Sequence, residues 1–425
     1  MQKLLTCIDA RFPLTALWES QWGKYVAPKN FNFWYYFGSL AALVLVLQIV
    51  TGIFLTMNYK PDATKAFESV EYIMRDVSWG WLIRYMHSTG ASMFFVVVYL
   101  HMFRGLMYGS YRKPRELTWI FGCLIYLALM GEAFFGYLLP WGQMSYWGAQ
   151  VIVNLFSAVP IIGEDLGIWI RGDYTISDIT LNRFFAFHVI AVPLVLLLLV
   201  VAHLMALHET GSNNPDGIEI KKQPKDPKTG LPLDGIYSHP YYSVKDIVGV
   251  VGFLVVFSII MFFVPDMGGY FLEANNFIPA DPLKTPEHIA PVWYFTPYYA
   301  MLRAVPSFLG SQFWGVLVMG AAVLIFFALP WLDRGAVKSI RYRGTTYKVW
   351  LALFVVSFLI LGYLGVVPVT VWGQFPESWL VLGTADRATV LSRALTVVYF
   401  LFFLLMPWYT ARDATKPVPE RVTGK

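Results

Sequence analysis

Eight long stretches without a single charged residue constrain this 425-residue chain more than anything else in it. They run from Asn30 to Tyr59, Tyr85 to Phe103, Leu117 to Gly131 (and on past Glu132), and Phe184 to Leu207. The later ones run from Ile247 to Pro265, Ala304 to Leu332, Val349 to Pro376, and Ala394 to Ala411. A helix of about 20 residues crosses the hydrocarbon core of a bilayer, where every backbone polar group must be paired internally. The pattern predicts an all-α integral membrane protein with eight crossings. Its charged fraction of 14% and hydrophobic fraction of 57% exclude an ordinary soluble domain.

The connections predict orientation. Arg112, Lys113 and Arg115 lie between the second and third stretches, and Lys221, Lys222, Lys225 and Lys228 between the fourth and fifth. Lys338, Arg341, Arg343 and Lys348 follow the sixth, and Arg412, Lys416, Arg421 and Lys425 follow the eighth. With eight crossings all of these share one side with both termini, and the positive-inside rule makes that side cytoplasmic. Met1 to Leu17 reads as an amphipathic surface segment rather than a cleavable signal. The polar stretch 213–238 separates an N-terminal four-helix region, 1–212, from a C-terminal one, 239–425. A net charge of +5 suits lipid and offers no basic stripe for nucleic acid. Cys7 and Cys123 form no CxxC pattern, so neither zinc nor an iron–sulfur cluster is expected within the chain.

Histidine inside a span is costly and therefore informative. The second stretch carries His87 and His101, 14 apart; the fourth carries His188 and His203, 15 apart. Fourteen steps fall about 40° short of four turns and fifteen overshoot by about 60°, so each pair lies on one face, about 21–23 Å apart along the axis. Pro193 between the second pair can kink that helix and take up the extra residue. The two stretches run parallel, so the histidines face each other at two depths, as bis-histidine haem ligation requires. The first stretch repeats the interval with Gly38 and Gly52, and the third with Gly122 and Gly136. A missing side chain lets a flat macrocycle approach the backbone. Taken singly, a histidine is as often structural as ligating, and a glycine pair is mostly helix packing. Four pairs at one interval favour haem. Arg84 and Arg104 lie three residues from a histidine, placed either to meet haem carboxylates or to snorkel to the membrane edge.

With these histidines and glycines stand Leu139-Pro140-Trp141-Gly142-Gln143-Met144-Ser145, Tyr241-Tyr242-Ser243-Val244-Lys245-Asp246 and Pro291-Val292-Trp293-Tyr294. Together they resemble cytochrome b of the bacterial ubiquinol–cytochrome c reductase family over nearly the whole chain. The resemblance implies two b haems in a bacterial inner membrane, an outer low-potential one on His87 and His188 and an inner high-potential one on His101 and His203. It implies quinol oxidation at an outer site and quinone reduction at an inner one. The implied partners are a Rieske iron–sulfur protein and a membrane-anchored c-type cytochrome, in a dimeric complex. The implied inner site uses Ser39, His208, Ser212, Lys245 and Asp246. The outer site uses Tyr137, Gly148, Pro291, Trp293 and Tyr294, with Tyr299 near the docking surface for the iron–sulfur protein.

Two features depart from the commonest family pattern. Val292 stands where a proton-accepting Glu is usual, which leaves Glu132 and Glu287 as candidate substitutes. The spacing of 15 resembles the photosynthetic plastoquinol–plastocyanin relative. That relative divides the polypeptide in two and attaches a third haem through a cysteine where this chain has Tyr36. Hence no third haem is expected. Two other classes compete: the di-haem anchor of a quinone-reducing dehydrogenase, and a transporter with structural histidines. A reduced-minus-oxidised spectrum separates the haem proteins from the transporter.

Overall fold

The computed structural model describes residues 2–307, 311–375 and 386–423. Phe308 to Gly310 of the sixth stretch, Pro376 at the end of the seventh, Lys425 of the basic tail and Met1 lie outside the described residues. Among the described residues, eight helices are long and apolar enough to span a bilayer. They are α1 Tyr36–Thr56, α2 Gly80–Tyr108, α3 Glu116–Leu138 and the long α4 Asp178–Thr210. After the polar connection come α5 Tyr241–Phe263, α6 Phe313–Leu332, α7 Thr345–Val366 and α8 Arg387–Leu404.

The helix ends differ from the ends of the charge-free stretches: α2, α3 and α4 run past theirs into charged or polar turns, whereas α1 and α6 are shorter than theirs. Ahead of the sixth stretch, Thr296–Ala304 forms a separate short helix, and α6 begins only at Phe313. Similarly α8 ends at Leu404 and a short helix, Met406–Ala411, follows with Pro407 in its first turn.

Within the N-terminal half, α1 packs along α2 and α3 along α4, and close backbone packing lies within each pair rather than between them. The C-terminal helices pack on this half through α5 against α1 and α2, and α6 against α3. The basic connections are folded rather than loose. Strand β1, Val26–Pro28, pairs antiparallel with β2, Gly235–Tyr237, which ties the N-terminal segment to the polar connection. Asp216 and Asp234 are buried in that connection. Asp234 holds Lys29 and Arg421, each at 2.8 Å, and Asp216 holds Arg341 at 3.0 Å.

At the opposite end, the connection after α3 holds helices Gln143–Ser157 and Gly163–Arg171. The connection after α5 is stitched to it: Gln143 N–H donates to Ile278 O at 3.0 Å and Ala280 N–H to Trp141 O at 3.0 Å. Gly142 is required at this crossing, because a Cβ there would lie 2.5 Å from the Asn276 carbonyl oxygen.

Candidate functional site

The histidines of α2 and α4 face each other at two depths. The rings of His87 and His188 have centroids 6.1 Å apart, and those of His101 and His203 are 6.4 Å apart. A metal held by two ring nitrogens at about 2.0 Å each places the ring centroids about 6 Å apart. The donor sets are opposed imidazole pairs; among the described residues no cluster of three or more His, Cys, Asp or Glu forms a bare metal site. These spacings fit haem iron.

Three of the four rings are held through Nδ1. His188 Nδ1 lies 2.9 Å from the Glu132 carbonyl oxygen and 3.0 Å from the Glu132 carboxylate. His203 Nδ1 lies 2.9 Å from the Thr118 carbonyl oxygen, and His87 Nδ1 2.9 Å from Thr51 Oγ1, whose own hydroxyl donates to Leu47 O. An acceptor at Nδ1 selects the tautomer that leaves Nε2 free to ligate. The Glu132 and Thr118 carbonyls stand four residues before Gly136 and Gly122. Each glycine opens the helix surface so that the imidazole reaches that carbonyl.

The glycines accordingly lie against histidines. A Cβ on Gly136 would meet His188 Cε1 at 2.4 Å, and one on Gly122 would meet His203 at 3.4 Å. On α1, Gly52 faces His87 at 3.3 Å and Gly38 faces His101 at 3.4 Å. Spacing alone suggested room for a macrocycle; the structure also uses that room to seat the rings.

Arg104 lies beside His101, with a guanidinium nitrogen 3.4 Å from Nδ1, and over the Tyr35 ring at 4.9 Å. Its Nε is buried without a hydrogen-bond partner among the described residues, as is Glu132 Oε2. Arg84 makes no side-chain hydrogen bond or ion pair among the described residues. Both guanidiniums therefore keep donors free for an anionic group.

At the basic end, Ser39 Oγ donates to Asp246 at 3.2 Å, and Lys245 lies over the Tyr241 ring at 4.5 Å. His208 stacks on Tyr25 at 4.4 Å and its Nδ1 meets Gln21 Oε1 at 2.7 Å; Ser212 Oγ meets the Tyr25 hydroxyl at 2.8 Å. Trp22 Nε1 donates to Ser243 at 3.3 Å. Gln21, Trp22 and Tyr25 thus bridge the end of α4 and the start of α5. No sequence signal marked that segment, whose contacts depend on distant elements.

At the opposite end, Tyr137 closes α3 over Gly148, and its hydroxyl donates to Glu273 Oε2 at 2.8 Å. Trp293 stacks on Phe271 at 6.2 Å and donates to Ser92 at 3.2 Å. Tyr294 stacks on Phe95 at 3.9 Å, and Tyr99 of α2 donates to its carbonyl at 2.6 Å. Val292 is buried, and Tyr299 donates to Ile289 O at 3.3 Å. Of the two carboxylates singled out from sequence, Glu132 sits on His188 and Glu287 is exposed on the loop. The carboxylate gathered with the aromatic cluster is Glu273, which lies in a long connection with no motif around it. Burial pushes its carboxyl up to about 7, against a lowering hydrogen bond from Tyr137.

The chain is also similar to known proteins along nearly its whole length. The family model described as cytochrome b/b6/petB matches residues 22–211, and that described as cytochrome b(C-terminal)/b6/petD matches 279–400. The cytochrome b of Allochromatium vinosum is 64% identical over 99% of this chain and 98% of its own length. That of Rhodospirillum rubrum is 45% identical over 99% and 96%. A solved chain titled "Hyperthermophilic respiratory Complex III" superposes with a TM-score of 0.83 at 38% identity, covering 96% of this chain and 98% of that one. Neither a dehydrogenase anchor nor a transporter is compatible with such similarity along nearly the full length: the chain belongs to the cytochrome b family.

Proposed function

We propose that this chain is the electron-carrying membrane subunit of a quinol–cytochrome c oxidoreductase, with two b haems between an outer quinol-oxidising site and an inner quinone-reducing site. Membership of the family implies haem b binding. The observation that carries the two-haem reading is the pair of opposed imidazole couples, at 6.1 and 6.4 Å.

Bound haem supplies reversible one-electron chemistry. The chain supplies position. His87 and His188 hold the outer group and His101 and His203 the inner one, with Nδ1 held by Thr51, Glu132 and Thr118. Arg84 and Arg104 meet anionic groups near the two depths. An electron crossing from the outer to the inner depth moves charge against the membrane potential, at about 2.3 kcal/mol per 100 mV.

The basic end faces the cytoplasm in a bacterial inner membrane, with both termini on that side. There Ser39, His208, Ser212, Lys245 and Asp246 bind quinone, and His208 and Asp246 carry protons to it. At the outer end, Tyr137, Gly148, Pro291, Val292, Trp293 and Tyr294 wall the quinol site. Proton release outside and uptake inside contribute to the gradient. A Rieske iron–sulfur protein docks near Tyr299, a c-type cytochrome completes the chain of carriers, and two copies form a dimer.

The test combines optical spectra with turnover. The intact complex should show two b-type signals in a redox titration and inhibitor-sensitive quinol:cytochrome c reductase activity. His203→Leu should remove the inner signal and leave the outer one, and His188→Leu the reverse. Two six-coordinate b haems in His203→Leu would refute the pairing by depth.

A further inference from the structure

In the outer-site reading, the Pro291–Tyr294 segment itself offers no carboxylate to accept a proton. Oxidising a quinol releases protons, and Val292 cannot take one. Glu132 is committed to His188, and Glu287 is exposed with no side-chain partner at the aromatic cluster.

Glu273 has the required placement. Its Oε2 accepts from the Tyr137 hydroxyl at 2.8 Å, and Oε1 makes no side-chain hydrogen bond among the described residues. Two residues before it, Phe271 stacks on Trp293, the neighbour of Val292. The titratable groups facing it are Tyr137 of α3 and Tyr294 of the Pro291–Tyr294 segment; no Lys, Arg or His pairs with it among the described residues. The next residues along the chain, Ala274 and Asn275, are exposed, so the carboxyl stands between the aromatic cluster and water.

Resting on the outer-site reading above, we propose that Glu273 receives a proton from the quinol hydroxyl, in the place that Val292 leaves without a base. The quinol O–H bond breaks and an O–H bond forms on Oε1. One electron of the same hydroxyl leaves to the iron–sulfur partner. Tyr137 holds the carboxyl in place through Oε2, and the proton then passes to outer water. A carboxyl that titrates at about 7 is poised both to accept and to release a proton at neutral pH.

Glu273→Gln retains the size and the Tyr137 contact but cannot accept a proton. In the intact complex it should lower inhibitor-sensitive quinol oxidation about 10²-fold, the low end of the usual effect of losing a general base. KM should change little, and the rise of rate with pH across neutrality should disappear. Infrared difference spectra of the wild type should show a carboxylic C=O signal that titrates near neutrality, shifts when an outer-site inhibitor binds and is absent from Glu273→Gln. An active wild type with an unchanged rate and pH profile in Glu273→Gln overturns the assignment alone. Absence of inhibitor-sensitive quinol oxidation in the wild type overturns the outer-site reading and this assignment with it. A Glu273→Gln complex that is slow but still shows the titrating C=O signal also overturns it, because the loss is then structural.

Discussion

Gly136 has the tightest approach among the four histidine-facing glycines. A Cβ there would lie 2.4 Å from His188 Cε1 and 2.9 Å from Nε2. No rotation of a methyl relieves that overlap, so the imidazole must move. At Gly38 the nearest histidine atom is 3.4 Å away, within ordinary packing tolerance. Gly136→Ala should therefore lose or strongly perturb the outer b-type signal, and more severely than Gly38→Ala, whose methyl would crowd a bound haem without displacing the His101 ring. Pyridine haemochrome assay with redox titration reads the difference; equal retention in both variants would remove the glycine from the ligation geometry. Glu132 illustrates a related limit of sequence reading. An intramembrane carboxylate signals function, but only the fold shows that it lies on His188 rather than facing the aromatic cluster of Trp293 and Tyr294.

At the scale of elements, α4 resolves the mismatch between spacings of 14 and 15. Phe187–Ala191 is a π-helical turn that contains His188 and ends just before Pro193. A π turn closes i→i+5 and takes up one extra residue. The missing N–H of Pro193 would leave a carbonyl unpaired in a regular helix, which favours the wider turn at this point. His188 and His203 thus return to one face, and both meet partners on α2. Deleting Ile190 should restore a regular helix with a spacing of 14 and keep both b-type signals. Inserting one alanine between His87 and His101, where α2 has no such turn, should lose one. Loss of a haem in the deletion would show that the π turn itself, rather than the register, is required.

Across the whole molecule, the basic residues that predict orientation also hold the two halves together. Asp333 follows α6 and is fully buried; it accepts from Tyr111 at 2.6 Å and pairs with Arg343, with Arg112 at 3.8 Å. Arg115 at the start of α3 pairs with Glu219 at 2.7 Å, and Lys338 pairs with the same carboxylate. Removing Asp333 would leave Arg343 buried and uncompensated, a loss of about 3–5 kcal/mol for a broken buried pair. Asp333→Asn should lower the thermal stability of the purified complex accordingly. Burial opposes ionisation of Asp333, yet Arg343 and Arg112 hold its carboxyl below the usual range. A depressed folded value means that this stabilisation is present above about 3.9, the unfolded Asp value, and is lost as pH falls through the folded one. Melting temperatures measured from neutrality downward should hold steady and then drop below about pH 4 in the wild type. Asp333→Asn should start lower and show a smaller drop; an identical pH profile in both would exclude the pair as a source of stability.

Much of the architecture is legible in the chain because a bilayer imposes local rules. Apolar length decides where helices run, and helical period puts His87 and His101 on one stripe and the glycine pairs at the same interval of 14, while the spacing of 15 between His188 and His203 is left for the π turn to absorb. Both signals are written within single elements. What the tertiary structure alone decides are the relations between elements distant in sequence. Glu273 meets Tyr137 across 136 residues, and Gln21 meets His208 across 187. Short connecting segments supply Glu273, Gln21 and Tyr25, so no pattern in the chain marks them. Burial and hydrogen bonding give these groups their chemistry, and both arise only when the two ends of the bundle are assembled.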